Sequence, residues 1–341
     1  MNLSDFDYNL PPELIAHTPS EPRDACKLMV VDKSSGIISH LIFSDLVNLL
    51  DENFVLVLND TKVFPARLYG KKDTGGKFEC LLLKQTNQNS YLSLARGKIK
   101  IGQKVIFTKG LFAEVVNKLD DGEVELAFSR SGADLLEQID KVGKTPLPPY
   151  IHSDKKESEL REKYQTVYAK YQGSAAAPTA GLHFTSELLQ KLIDKGVQVE
   201  YLTLHVGLGT FKPVTTQQVE DKRLHKESYA LTEDAANRLN KAKSIGKKII
   251  AVGTTTTRTL ESLSNKKGEL FAGEGETDIF IQPGFKFNFV DGLITNFHLP
   301  QTSLLMLVSA LSSKEIILNA YDEAVKNKYK FFSFGDAMII F

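Results

Sequence analysis

FPARLYGKKDTGGKFECLLLKQTNQNSYLSLARGKIKIGQKVIFTKGLFAEVVNKLDDGEVELAF occupies residues 64–128. Six short β-rich runs follow one another there, at 66–69, 78–83, 91–95, 104–107, 112–116 and 124–128. The connections DTGGK, TNQNS and LDDGE carry Gly, Asn and Asp, which reverse a chain readily. No helical period runs through the stretch. Several short strands at close spacing predict a small antiparallel barrel. KTPLPPY (144–150) is a proline-rich exit from it.

On either side the texture changes. Before the barrel, CKLMVVD (26–32) and FVLVL (54–58) read as buried strands, with a helix at 44–50 between them. After it, helical and extended patterns alternate. Helices are expected at 185–195, 232–244, 254–262, 303–311 and 316–326. Strands are expected at 197–204, 248–253, 278–281, 293–295 and 337–341. Thr185 or Ser186 caps the first of these helices, and Thr302 or Ser303 caps the fourth. Such alternation implies an α/β domain with a mixed, mostly parallel sheet. The predicted architecture is a large mixed-sheet α/β domain built from residues 1–63 and 150–341. A small antiparallel β-barrel domain, residues 64–149, is inserted in it.

Composition narrows the class. The 341 residues are 42% hydrophobic and 25% charged, which suits a globular chain with a real core. The amino terminus MNLSDFDYNLPPEL has neither a basic n-region nor an apolar h-region, and 304–311 is too short to span a bilayer. The two cysteines, Cys26 and Cys80, cannot make a disulfide framework. A cytoplasmic protein without a membrane partner is expected, and a monomer. The formal net charge is zero. Residues 67–130 nevertheless hold 12 Lys/Arg against 7 Asp/Glu, a net of +5. This is either a solvated barrel surface or a module that touches a polyanion.

Five loops concentrate small residues, hydroxyls and histidines where strands end. Open α/β sheets place their sites there. In LNDTKVFPARL (58–68), Asp60, Thr61, Lys62 and Arg67 follow a buried strand. They form a turn, or Lys62 and Arg67 contact an anion. GSAAAPTAGLHFT (173–185) offers a bare backbone, Thr179, and His183 just before a helix. LHVGLGTFKPV (204–214) carries His205, Thr210 and Lys212, with only a GxG and not a dinucleotide fingerprint. IAVGTTTTRTLESL (250–263) runs from a buried strand through Gly253 into Thr254, Thr255, Thr256, Thr257 and Arg258. One threonine suffices to cap a helix. Four of them, with free N–H groups and a guanidinium, suit a carboxylate or phosphate. The fifth region holds Asp278, Asn296, His298 and Gln301, and the closing FFSFGDAMIIF adds Asp336. No GxxxxGK[ST], HExxH, paired Cys/His or GxSxG pattern occurs, which argues against P-loop, zinc and α/β-hydrolase chemistry.

Taken together, eight strings in order resemble one family: the S-adenosylmethionine:tRNA ribosyltransferase-isomerases of queuosine synthesis. They are DFDYNLPPELIA, NDTKVFPARL, GSAAAPTAGLHFT, LHVGLGTFKPV, VGTTTTRTLES, DIFIQPGFKF, DGLITNFHLPQTSLLMLVSAL and FFSFGDAM, which run in order from residue 5 to residue 338. Cys26-Lys27 stands where the family pattern has Ser-Arg, Thr302-Ser303 inverts a Ser-Thr, and Phe285 and Phe334 replace tyrosines.

The resemblance implies an enzyme that moves the ribosyl group of S-adenosylmethionine, with rearrangement, onto 7-aminomethyl-7-deazaguanine at the tRNA wobble position. The product is epoxyqueuosine, and adenine and methionine leave. It also implies the α/β-plus-barrel fold. S-adenosylmethionine is then a substrate, and neither a cofactor nor a metal is expected. An unpaired anticodon loop must enter the cleft. The sulfonium acidifies the C5′ protons, so a base is needed. His183 and His298 are the first candidates and Asp278 the third. Asp60, Thr61, Lys62, Arg67, Thr179, His205, Thr210, Gly253, Thr254 to Thr257, Arg258, Asn296 and Asp336 are expected to bind substrate, with Arg258 and the threonine turn on the methionine carboxylate. Two other readings compete. A non-catalytic RNA binder would use the basic barrel alone. A small-molecule methyl- or glycosyltransferase would act without RNA.

Overall fold

The computed structural model describes residues 2–119, 122–148, 151, 156–207, 209 and 214–341. Along the chain, β1 (Lys27–Val31), β2 (Ile38–Ile42), α1 (Leu46–Leu49), β3 (Phe54–Asn59) and β4 (Thr61–Val63) precede the barrel strands. These are β5 (Arg67–Lys72), β6 (Lys77–Asn87), β7 (Ser90–Arg96), β8 (Lys104–Phe107), β9 (Phe112–Lys118) and β10 (Glu123–Phe128). Then come α2 (Gly132–Val142), α3 (Glu157–Lys163), β11 (Tyr171–Ser174), α4 (Ser186–Asp194), β12 (Gln198–His205), α5 (Thr216–Asp221), β13 (Arg223–Leu231) and α6 (Glu233–Ser244). The chain ends with β14 (Lys248–Val252), α7 (Thr254–Leu263), β15 (Gly273–Ile279), β16 (Gly292–Asn296), α8 (Ser303–Leu311), α9 (Lys314–Lys326) and β17 (Ala337–Ile340).

Nine strands form one sheet in the order β15-β13-β12-β3-β14-β16-β17-β1-β2. The centre, β12-β3-β14-β16, is parallel. β17 runs antiparallel to β16, and β13 and β15 extend the other edge antiparallel. β3 and most of β14 are continuous apolar runs because both faces are covered. Their side chains alternate between two cores. Val55, Val57, Ile249, Ala251 and Leu293 face the side of α6 to α9, with Leu239, Leu260, Met306 and Tyr321. Leu56, Leu58, Ile250, Val252 and Ile294 face α1 and α4, with Leu46, Leu188 and Leu192.

The six barrel strands expected from the sequence close on themselves. They enclose a core of their own, which includes Leu68, Phe78, Leu82, Val105, Phe107, Val115 and Leu126. Leu135 and Ile139 of α2 join that core, so the segment after the last strand is a helix that the strand pattern did not reveal. The strand expected at 278–281 begins earlier, at Gly273, and ends at Ile279. Its first half, GEGE, is polar because it lies at a sheet edge with little to bury against. No single helix among the described residues is long and apolar enough to cross a membrane.

Candidate active site

Beyond the carboxyl ends of β14 and β16 lies a cavity of about 450 Å³. Three segments distant in sequence converge on it: Pro178 to Ala180, Gly253 to Thr255 with Arg258, and Thr295 to Ser303. Glu227 and His225 of β13 form part of its wall, and Val206, Leu299 and Leu304 add apolar lining. Gly253 opens α7 with a φ of 91°, a conformation that glycine adopts without strain. It lets the chain turn from a buried strand directly into a helix whose N-terminus faces the cavity.

The four threonines divide. Thr254 and Thr255 line the cavity. Thr256 Oγ1 donates to the Val252 carbonyl at 2.7 Å and Thr257 Oγ1 to that of Gly253 at 3.2 Å, both buried. These two therefore serve the helix itself, and no threonine side chain caps it. Arg258 lines the cavity but is not a free cation. It is buried in ion-pair contact with the buried carboxylate of Glu227.

His298 faces the cavity. Its Nε2 lies 2.9 Å from Thr295 Oγ1. Its backbone is clamped on both sides: the N–H donates to Tyr321 Oη at 3.1 Å, and the carbonyl accepts from Tyr8 Oη at 2.6 Å. Burial lowers its pKa to about 3, so the ring is neutral at physiological pH.

His183 stands behind the cavity wall, not in it. Thr179 Oγ1 donates to Asn296 Oδ1 at 2.9 Å, which orients the amide. Asn296 Nδ2 then donates to His183 Nε2 at 2.9 Å, and His183 Nδ1 faces Cys26 Sγ at 3.2 Å. This chain of contacts assigns the His183 proton to Nδ1. Both ring nitrogens are engaged, and burial, aided by Arg23, lowers the pKa to about 4. The ring packs against Phe43, with centroids 5.1 Å apart. His183→Ala therefore removes a buried ring and leaves the Asn296 amide unpartnered. It should cost about 2–4 kcal/mol of stability in urea titration.

Other expected site residues lie elsewhere. Asp278 does not line the cavity. On β15 the side chains alternate, Thr277 turning in to bond Ser262 Oγ at 2.6 Å. Asp278 turns out to pair with Arg223 at 3.5 Å, so it cannot serve as a base in the cavity. Arg67 is consumed within the barrel, by Glu79 at 2.6 Å and the Leu147 carbonyl at 3.0 Å, and so is not an anion contact there. Lys62 is exposed on β4, away from the cavity. Asp60 is buried and accepts from Thr203 Oγ1 at 2.6 Å, with its pKa raised by burial. Asp336 accepts backbone N–H groups of Lys27 (2.7 Å) and Lys330 (2.6 Å), fixing the last turn to β1. Thr210 and Lys212 lie outside the described residues.

Thr61 Oγ1 lies 2.8 Å from His205 Nδ1, and His205 lines a second cavity of about 580 Å³ between the barrel and the large sheet. Glu227 and His225 line both cavities. No sequence signal singled out these two. They sit mid-strand in RLHKESYAL, not in a loop.

The family departures are accommodated structurally. Cys26 supports His183, and Lys27 Nζ donates to the Asn327 carbonyl at 2.7 Å, closing α9. Thr302 caps α8, accepting from the Leu305 N–H. Phe285 packs on Phe287 and Phe334 on Tyr164. Among the described residues no three His, Cys, Asp or Glu side chains converge as a metal site would require.

The site is that of an α/β enzyme: a mixed sheet carrying a closed barrel, with a largely apolar cavity beyond its strand ends into which a few polar side chains converge. The chain belongs to the queuosine biosynthesis protein family, whose model matches residues 3–340. It is 51% identical over 344 residues to the S-adenosylmethionine:tRNA ribosyltransferase-isomerase of Staphylococcus haemolyticus, covering all of both chains. It is 51% identical over 345 residues to the protein of the same name from Clostridioides difficile, again with full coverage. Among solved structures it is similar to an S-adenosylmethionine tRNA ribosyltransferase from Thermotoga maritima. That match has a TM-score of 0.58 and 37% identity, over 99% of this chain and 100% of the other.

Proposed function

We propose that the cavity beyond β14 and β16 holds S-adenosylmethionine. The chain then works as an S-adenosylmethionine:tRNA ribosyltransferase-isomerase, moving the ribosyl group, with rearrangement, onto 7-aminomethyl-7-deazaguanine at the tRNA wobble position. Epoxyqueuosine forms, and adenine and methionine are released. The observation that carries this reading is the convergence of Thr179, Gly253, Thr255, Asn296 and His298 on one cavity in a chain of this family. Its volume lies within the range of about 300–1,000 Å³ that small-molecule sites occupy.

Each requirement of the reaction has a candidate group. The methionine carboxylate goes to the α7 N-terminus, where Thr254, Thr255 and Arg258 supply hydroxyls, free N–H groups and a guanidinium. The neutral imidazole of His298 accepts the C5′ proton that the sulfonium acidifies. His183 acts through Asn296, holding its amide so that Thr179 and Asn296 keep fixed positions on the cavity wall. The apolar lining limits water around the sulfonium. The protein is taken to be a cytoplasmic monomer with no added cofactor, and residues 64–149 to be a unit inserted in the larger domain.

The test is product analysis. With S-adenosylmethionine and tRNA carrying the aminomethyl base, the purified protein should release adenine and methionine in equal amounts. Release that is unchanged when tRNA is left out, or no release at all, would count against it.

The two buried histidines also set an acid limit. Their folded pKa values, about 4 and about 3, lie below the ordinary 6.5. Between those values the unfolded chain binds more protons than the folded one, so stability is lost as pH falls below about 6.5. The loss approaches about 1.4 kcal/mol per pH unit for each histidine. Urea midpoints measured from pH 7 to pH 4.5 should fall steadily, and His298→Gln should flatten that slope.

A further inference from the structure

The two cavities meet at a wall made by His225 and Glu227, which lie on one face of β13, two residues apart. The second cavity has a different character from the first. Barrel and sheet side chains face each other across it: Tyr91, Gln85 and Lys84 on one side, His205 and Lys226 on the other. Gly173 lies flat against the His205 ring, where even a Cβ would stand 2.7 Å from it. Rings and amides on opposing walls suit an unstacked nucleobase.

Glu227 is buried, and its pairing is incomplete. Oε1 accepts from the Gly207 N–H at 3.2 Å. Oε2 touches Arg258 Nη2, yet neither Oε2 nor Arg258 Nε has a hydrogen-bond partner among the described residues. A buried charge pair with unmet hydrogen-bonding capacity is costly unless something else completes it. Opposite charges on two ligands, one in each cavity, would complete it. A carboxylate entering the first cavity draws the guanidinium. The carboxylate of Glu227 is then open to a cation arriving from the second.

Building on the assignment of the first cavity to S-adenosylmethionine, we propose that Glu227 is the specificity residue for the acceptor base. It reaches through the shared wall to bind the ammonium of the 7-aminomethyl arm, while Arg258 passes to the methionine carboxylate. The two buried protein charges stay paired in both states. In the empty enzyme Arg258 is matched by Glu227. In the loaded enzyme each meets a substrate charge instead. The exchange couples the two cavities without requiring the backbone to move.

The test compares binding of tRNA carrying 7-aminomethyl-7-deazaguanine with tRNA carrying the uncharged 7-cyano-7-deazaguanine. S-adenosylhomocysteine is present to fill the first cavity. Wild-type protein should prefer the aminomethyl tRNA by about tenfold or more, the worth of one charge-assisted contact. E227Q should lose that preference, and E227D should recover part of it. Calorimetry should show E227Q binding S-adenosylmethionine no more weakly than wild type, because Arg258 then has no carboxylate partner to leave. Equal binding of the two tRNAs by wild-type protein overturns the proposal, whatever the fate of the variants. So does a full preference in E227Q, or a selective loss of S-adenosylmethionine binding there, which would put Glu227 on the methionine ammonium instead. Failure of wild-type protein to bind S-adenosylmethionine would instead remove the first-cavity assignment.

Discussion

His298→Gln should lower kcat by about 10²–10⁴-fold while changing the affinity for S-adenosylmethionine less than about threefold. Glutamine fills a similar volume and can still bond Thr295, but it cannot take a proton. The imidazole is the one titratable ring of the two candidates that lines the cavity, and its backbone is fixed by Tyr8 and Tyr321. On the proposed reading its position, not an elevated basicity, suits it to take the proton, since burial keeps it unprotonated down to low pH. The check is single-turnover adenine release alongside calorimetric binding. Near-normal turnover would move the base elsewhere, with His225 the other imidazole on the cavity wall.

Arg258→Met should strongly destabilise the fold. It leaves Glu227 as an unpaired buried carboxylate, and breaking such a pair costs about 3–5 kcal/mol. Activity should fall with it, since the methionine carboxylate loses its guanidinium. The double variant Glu227→Gln/Arg258→Met separates the two effects. Removing both charges should restore most of the stability and none of the activity. Urea unfolding of the two single variants and the double variant closes the cycle. A double variant as unstable as Arg258→Met would mean that packing, and not the pair, holds this corner.

The fold was legible wherever periodicity and burial agree. The runs LMVV (28–31), FVLVL (54–58) and IIAV (249–252) are apolar throughout because the sheet is covered on both faces, and each lies in a strand. The barrel announced itself through turn residues. What escaped was polar or short: β13 is a largely polar strand next to the edge, the start of β15 lies at the edge itself, and β4 and β11 form a two-stranded ribbon. The site was legible as loops but not as directions. Thr179, Gly253, Thr254, Thr255, Asn296 and His298 face the cavity, as loops at strand ends can. Arg67 and Asp278 carry the right chemistry and point away, a matter of strand alternation that depends on register. Glu227 was invisible because nothing local marks it. Its meaning comes from the two cavities that meet at its side chain.

A crystal structure of the protein soaked with S-adenosylmethionine bears most directly on the site. The ligand should lie between Gly253 and Asn296, its carboxylate at the start of α7 and its C5′ within reach of His298 Nδ1 or Nε2. Density for it in the cavity beside the barrel, or with the methionine end turned away from Arg258, would contradict the assignment of every group named above.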